Sequence, residues 1–296
     1  MHKYCLFIFV SLFALTGCVS NLLTSRQDVA VSFDSERIAY SVIGEGETVI
    51  VFIHGWSCDG RYWREQVPAL AGEYRLIIVD LAGHGHSSLA RSNLSMSSFA
   101  RDVKAVLDKE NVDSAILIGH SMGGAVIAET ARLLPHRVAG IIGIDTLQNV
   151  GERISQSEVD AMVESFEDGF RGATEDFVAS MFPQGASQGL MNWVAKDMSS
   201  APKEVALSAF SNYLGQYVTG EAAAVFEGIA VPVVSINARL WPTAPEENMK
   251  HIRNYQLLLI EEVGHFPMLE RPDEFNRLLK EAIVSIHSKP VITYNK

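Results

Sequence analysis

From Val29 onward the chain alternates between two hydrophobic rhythms. Residues 29–33 and 37–43 alternate apolar and polar side chains around a polar turn at Asp34-Ser35, which predicts two strands. Residues 48–53, 74–80, 116–119 and 138–145 are near-continuous apolar runs, the pattern of strands covered on both faces. Between them, residues 61–70, the set Phe99, Val103, Val106 and Leu107, and residues 125–134 repeat at helical spacing. Strand–helix–strand alternation predicts a mostly parallel, doubly wound α/β sheet with helices on both faces. The alternation stops over residues 147–228, where the pattern is helical with scattered aromatics, so an inserted helical subdomain is expected there. It resumes with a strand at 231–236, a helix at 245–253 and a last strand at 255–261. A final helix starts near Pro272, a favourable first-turn residue. The expected division is a core in two parts, 29–146 and 229–290, around the insert.

The N-terminal pattern differs. Lys3 precedes an apolar run, 6–15, that is short for a membrane span and has the form of a secretory signal. The run ends Leu15-Thr16-Gly17-Cys18, which resembles the bacterial lipobox. That resemblance implies a signal at 1–17, cleavage before Cys18, lipidation of Cys18 and a polar tether over 18–28. Acyl chains on Cys18 would anchor the protein to a membrane. Val19 stands where an aspartate would direct retention, so the resemblance points to the bacterial envelope, on the outer membrane facing the periplasm.

Composition narrows the function. The 296 residues carry a formal net charge of −11. Such a chain lacks the lysine and arginine excess that a nucleic-acid backbone demands, so no nucleic-acid partner is expected. Cys5, Cys18 and Cys58 cannot build a disulfide framework. Neither zinc-ligand spacing nor a phosphate-binding glycine loop is present, so no metal and no cofactor is expected.

The chemistry centres on Gly119-His120-Ser121-Met122-Gly123, between a buried strand and a helix. A serine in this turn is presented at the end of a sheet and the start of a helix, where developing negative charge is favoured. The plainer reading is a helix N-cap. Three further stretches accompany it: His54-Gly55-Trp56, Asp80 with Gly83-His84-Gly85-His86-Ser87, and Val263-Gly264-His265-Phe266-Pro267. In this order, each after a predicted strand, they resemble the α/β-hydrolase superfamily over nearly all of the chain beyond residue 28. The resemblance implies Ser121 as nucleophile, His265 as base, and an oxyanion hole from the Trp56 and Met122 backbone N–H groups. His54, His84 and His86 are expected to shape loops, His120 to pack beside the nucleophile, and Asp80 to be structural. The Trp56 side chain either lines the pocket or packs.

The triad acid departs from the commonest pattern. The loop after the 231–236 strand reads Asn237-Ala238-Arg239-Leu240-Trp241-Pro242, with Arg239 about where a carboxylate is expected. Some branches of the superfamily carry the acid one strand earlier, and here that strand ends in Asp145. Asp145 is therefore the expected acid, with Glu246 or Glu247, or a dyad without an acid, as alternatives.

A serine nucleophile disfavours the branches that use an aspartate, such as haloalkane dehalogenases and epoxide hydrolases. It implies acyl transfer to water. The insert at 147–228 would be a lid, whose aromatics with Met162, Met181, Met191 and Met198 either line an acyl pocket or form the lid's own core. The expectation is a membrane-tethered serine hydrolase acting on a small or medium, partly apolar ester-like substrate. The alternatives are an aminopeptidase or amidase, and a non-catalytic acyl-binding lipoprotein.

Overall fold

The computed structural model describes residues 24–287. The expected signal and Cys18 lie outside them. Eight strands form one sheet: β1 (Ser25–Val31), β2 (Arg37–Ile43), β3 (Val49–Ile53), β4 (Arg75–Val79), β5 (Ala115–His120), β6 (Val138–Ile144), β7 (Val233–Ala238) and β8 (Tyr255–Ile260). Their spatial order is β1-β2-β4-β3-β5-β6-β7-β8. β2 runs antiparallel to both β1 and β4, and every other pairing is parallel. Each residue of β3, β5 and β7 is buried, which is why β3 and most of β5 read as near-continuous apolar runs, while β7 also buries Ser235 and Asn237.

The flanking helices are α1 (Val67–Leu70), α2 (Met96–Lys109), α3 (Met122–Leu133), α9 (Pro245–His251), α10 (Pro267–Glu270) and α11 (Pro272–His287). The insert supplies α4 (Gln156–Glu164), α5 (Phe170–Ser180), α6 (Gln188–Met198), α7 (Lys203–Thr219) and α8 (Glu221–Ala224). A capping box starts α4: Ser155 Oγ accepts from the Glu158 amide, and the Glu158 carboxylate accepts from the Ser155 amide. No helix among the described residues is long and apolar enough to cross a membrane.

Three boundaries differ from the sequence reading. β1 begins at Ser25, so residues 25–28 of the expected tether belong to the sheet edge, paired with β2. This edge is polar and held by ion pairs, Asp28 to Lys109 and Arg26 to Glu110, so no hydrophobic alternation marks it. The single helix expected over 61–70 is a 3-10 turn, Gly60–Trp63, followed by α1. Pro68 lacks an N–H, and its ring excludes a helical carbonyl at Arg64, so one helix cannot run through. β7 lies two residues later than expected, because Pro232 cannot donate to the ladder.

The parallel strands β3, β5, β6 and β7 deliver their C-terminal ends, and the loops after them, to one side of the sheet. That side carries Trp56, Ser121, Met122, Asp145 and, after β8, His265.

Candidate active site

Ser121 follows β5 directly and has φ 53° and ψ −121°, a conformation that L-residues rarely adopt. The turn closes because its flanking residues are glycines. A Cβ at Gly119 would stand 2.3 Å from the Gly123 carbonyl oxygen, and one at Gly123 would stand 2.6 Å from the Ile53 carbonyl oxygen. The Ser121 amide donates to Ile144 O at 3.0 Å, and Ser121 O accepts from Thr146 Oγ1 at 2.9 Å, which ties the turn to the end of β6. The hydroxyl does not cap α3, and it makes no hydrogen bond to a described residue.

Asp145 stands one residue past β6, also with positive φ, and is 1% exposed. Its Oδ1 accepts from the Ala238 amide at 2.9 Å, and its Oδ2 lies 2.6 Å from His265 Nδ1. One carboxylate thus fixes the end of β7 and one edge of the imidazole. The alternatives are elsewhere: Glu246 and Glu247 sit in the first turn of α9, and Glu247 pairs with Lys250. Arg239 pairs with Glu261 at the surface.

His265 is held from several directions. Its amide donates to Met181 O of the helical insert at 2.8 Å. Its carbonyl accepts from His120 Nε2 at 2.7 Å. Its ring faces those of His120 and Trp241 at centroid distances of 4.7 and 4.8 Å. The half-buried Glu270 carboxylate accepts from the amides on either side, Gly264 at 2.9 Å and Phe266 at 3.0 Å. Burial raises the Glu270 pKa, and those two amide bonds oppose the rise.

His120 and His54 are framework residues. Burial, reinforced by the neighbouring His265, pushes the His120 pKa well down, so His120 is a neutral donor. His54 joins two loops, with Nδ1 2.8 Å from Gly55 O and Nε2 accepting from the Leu81 amide at 3.0 Å, and burial lowers its pKa. Asp80 accepts from the Gly60 and His86 amides and shapes the loop after β4.

Neither the Trp56 nor the Met122 amide donates a hydrogen bond to a described residue. Both flank the same cavity as Ser121, so two unpaired donors stand beside the serine. The Trp56 side chain both packs and lines: Nε1 donates to Ala206 O of α7 at 2.7 Å, and the ring meets Phe166 and Phe210.

These groups share one cavity of about 620 Å³. Ser121, Asp145, His265, Trp56 and Met122 all line it, with Met162, Met181 and Met198 from the insert. Met191 does not line it; it packs against the core. Sequence reasoning missed Trp241 and Glu270. An aromatic in the loop where an acid was sought was the available signal for the first; for the second there was none. Among the described residues no group of three His, Cys, Asp or Glu side chains could hold a metal ion.

Known proteins resemble this chain. The chain matches the family model described as alpha/beta hydrolase fold over residues 48–272. It is 29% identical over 250 residues to the dihydrolipoyllysine-residue acetyltransferase component of the acetoin cleaving system of Pseudomonas putida, covering 79% of this chain. The match spans 63% of that relative's own length. It is 25% identical over 249 residues to a pimeloyl-[acyl-carrier protein] methyl ester esterase of Aeromonas hydrophila, covering 79% of this chain and 94% of that one. Among solved structures, an esterase from Rhodococcus sp. superposes with a TM-score of 0.73 at 26% identity, covering 88% of this chain and 99% of that one. With the model matched from residue 48 to residue 272, the chain belongs to the alpha/beta hydrolase fold family.

Proposed function

We propose that this protein is a serine hydrolase that cleaves small or medium, partly apolar carboxylic esters through an acyl-enzyme on Ser121. The observation that carries the reading is the 2.6 Å contact between His265 Nδ1 and Asp145 Oδ2 in the cavity that Ser121 lines. With Asp145 accepting from Nδ1–H, Nε2 is the free basic nitrogen. Ser121 Oγ attacks the ester carbonyl carbon while His265 Nε2 takes its proton. The carbonyl oxygen becomes an anion stabilised by the Trp56 and Met122 N–H groups, each worth roughly 3 kcal/mol in comparable sites. Collapse expels the alcohol, which takes the proton from His265. Water, activated by the same imidazole, then releases the acid. The naming of relatives as esterases supports the ester class.

A fluorophosphonate probe tests this. Labelling of wild type that is lost in Ser121→Ala supports the reading; unlabelled wild type defeats it and favours a binding role. Asp176, a carboxylate at the cavity, favours a second reading, an aminoacyl amide or peptide substrate. An aminoacyl anilide turned over faster than a matched ester would establish that class instead.

The reading includes a lipid anchor on Cys18, supported by Leu15-Thr16-Gly17-Cys18. Metabolic labelling with a radioactive fatty acid, lost in Cys18→Ser together with membrane association, is the expected result.

A further inference from the structure

The cavity beside Ser121 is chemically one-sided. Trp56, Phe166, Phe177, Phe210, Met181 and Met198 form much of its wall, and no lysine or arginine lines it. Two carboxylates do. Asp145 is committed to His265 and the Ala238 amide. Asp176 is exposed on α5, and Met162 and Ser165 are the other exposed lining residues, so these three mark the opening. The chain around the opening has the same bias: residues 158–176 carry seven acidic side chains and one basic one, Arg171.

An anion entering such a cavity loses its water and finds no cation to pair with, which is heavily penalised. It must also approach through a field of its own sign, which at 0.1 M salt reaches about 10 Å. A methyl terminus meets neither barrier, and an ammonium terminus gains from the second and from the aromatic faces. We propose that this cavity selects acyl chains ending in an uncharged or positively charged group and rejects those ending in a carboxylate, with Asp176 the specificity-determining residue at the opening. The proposal rests on the serine hydrolase reading above, and it adds the charge of the substrate.

The test uses the purified protein and p-nitrophenyl esters with acyl chains of matched length ending in methyl, ammonium or carboxylate. Alkyl fluorophosphonates with the same three termini give a parallel rate of Ser121 modification that needs no turnover. The expected result is a kcat/KM, and a labelling rate, at least about 100-fold lower for the carboxylate terminus than for methyl, as unpaired burial of a charge requires. In Asp176→Lys the ratio narrows at least about tenfold, and less so at high salt, as a surface charge requires. Methyl and carboxylate termini reacting within about threefold of each other overturns the proposal, because no desolvation penalty then operates. An unchanged ratio in Asp176→Lys removes Asp176 from the assignment and leaves the lining alone as the cause. Failure of all three probes to modify Ser121 overturns the hydrolase reading itself, and the selectivity with it.

Discussion

Asp145 does two jobs with two oxygens. Oδ1 takes the Ala238 amide at the end of β7, and Oδ2 takes His265 Nδ1. The acid is therefore oriented by the neighbouring strand before it orients the imidazole. Replacing it with asparagine keeps the volume but changes the hydrogen-bonding partner, so the tautomer at His265 is no longer fixed. Asp145→Asn is predicted to lower kcat about 10³- to 10⁴-fold with little change in KM. Glu246→Gln and Glu247→Gln, at the surface of α9, are predicted to stay within about twofold, as surface substitutions away from a site generally do. Steady-state kinetics on one ester checks both, and a large loss in Glu247→Gln with none in Asp145→Asn would reassign the acid. Trp241 occupies the loop where the acid was sought, with its ring 4.8 Å from that of His265. It packs its ring against the imidazole and lines the cavity, a placement that residue type alone does not announce.

At the level of elements, the strand–turn–helix around Ser121 was the most legible part of the chain, because its constraints are local. Gly119 and Gly123 are required by backbone atoms 2.3 and 2.6 Å from where a Cβ would sit. Gly119→Ala is predicted to cost at least about 2 kcal/mol, since carbonyl oxygens of a buried turn cannot yield as a side-chain tip can. A thermal melt against wild type measures it, and an unchanged Tm would show that the turn relaxes. That His265 and Asp145 would lie together beside Ser121 was legible from the order of His265 in the chain and the place of Asp145 at a strand end. Less legible were features set by partners distant in sequence. The β1 edge is polar and paired to β2, so its first four residues carried no apolar signal. Glu270 reaches back to two amides around His265, a contact that exists only once α10 has folded. The helical insert is also tied to the site by contacts between remote residues: Met181 O accepts the His265 amide, Ala206 O accepts Trp56 Nε1, and Asp197 pairs with Arg61.

Across the whole molecule, buried imidazoles set the response to acid. Burial lowers the pKa of His54, His84 and His120, with His84 pushed down to about 3. In the unfolded chain each titrates near 6.5. Below that pH the unfolded state binds more protons, so the stability is complete above it and is lost as the pH falls. Each imidazole contributes up to about 1.4 kcal/mol per pH unit. Glu270 and Asp102, whose pKa values burial raises, offset part of the loss. Urea unfolding is predicted to lose roughly 2–4 kcal/mol between pH 6.5 and about 5, and a flat profile would mean that these rings are hydrated or already protonated in the fold.

In the proposed mechanism an imidazole contributed by the last loop of the core makes the Ser121 hydroxyl reactive. Rapid mixing with an activated ester reads this directly, as a burst of alcohol stoichiometric with enzyme followed by slower turnover. Wild type is predicted to show the burst, and His265→Gln to lose both phases by about 10⁴-fold or more, as triad residues acting as a unit do. A His265→Gln protein that still bursts at the wild-type rate would contradict the account.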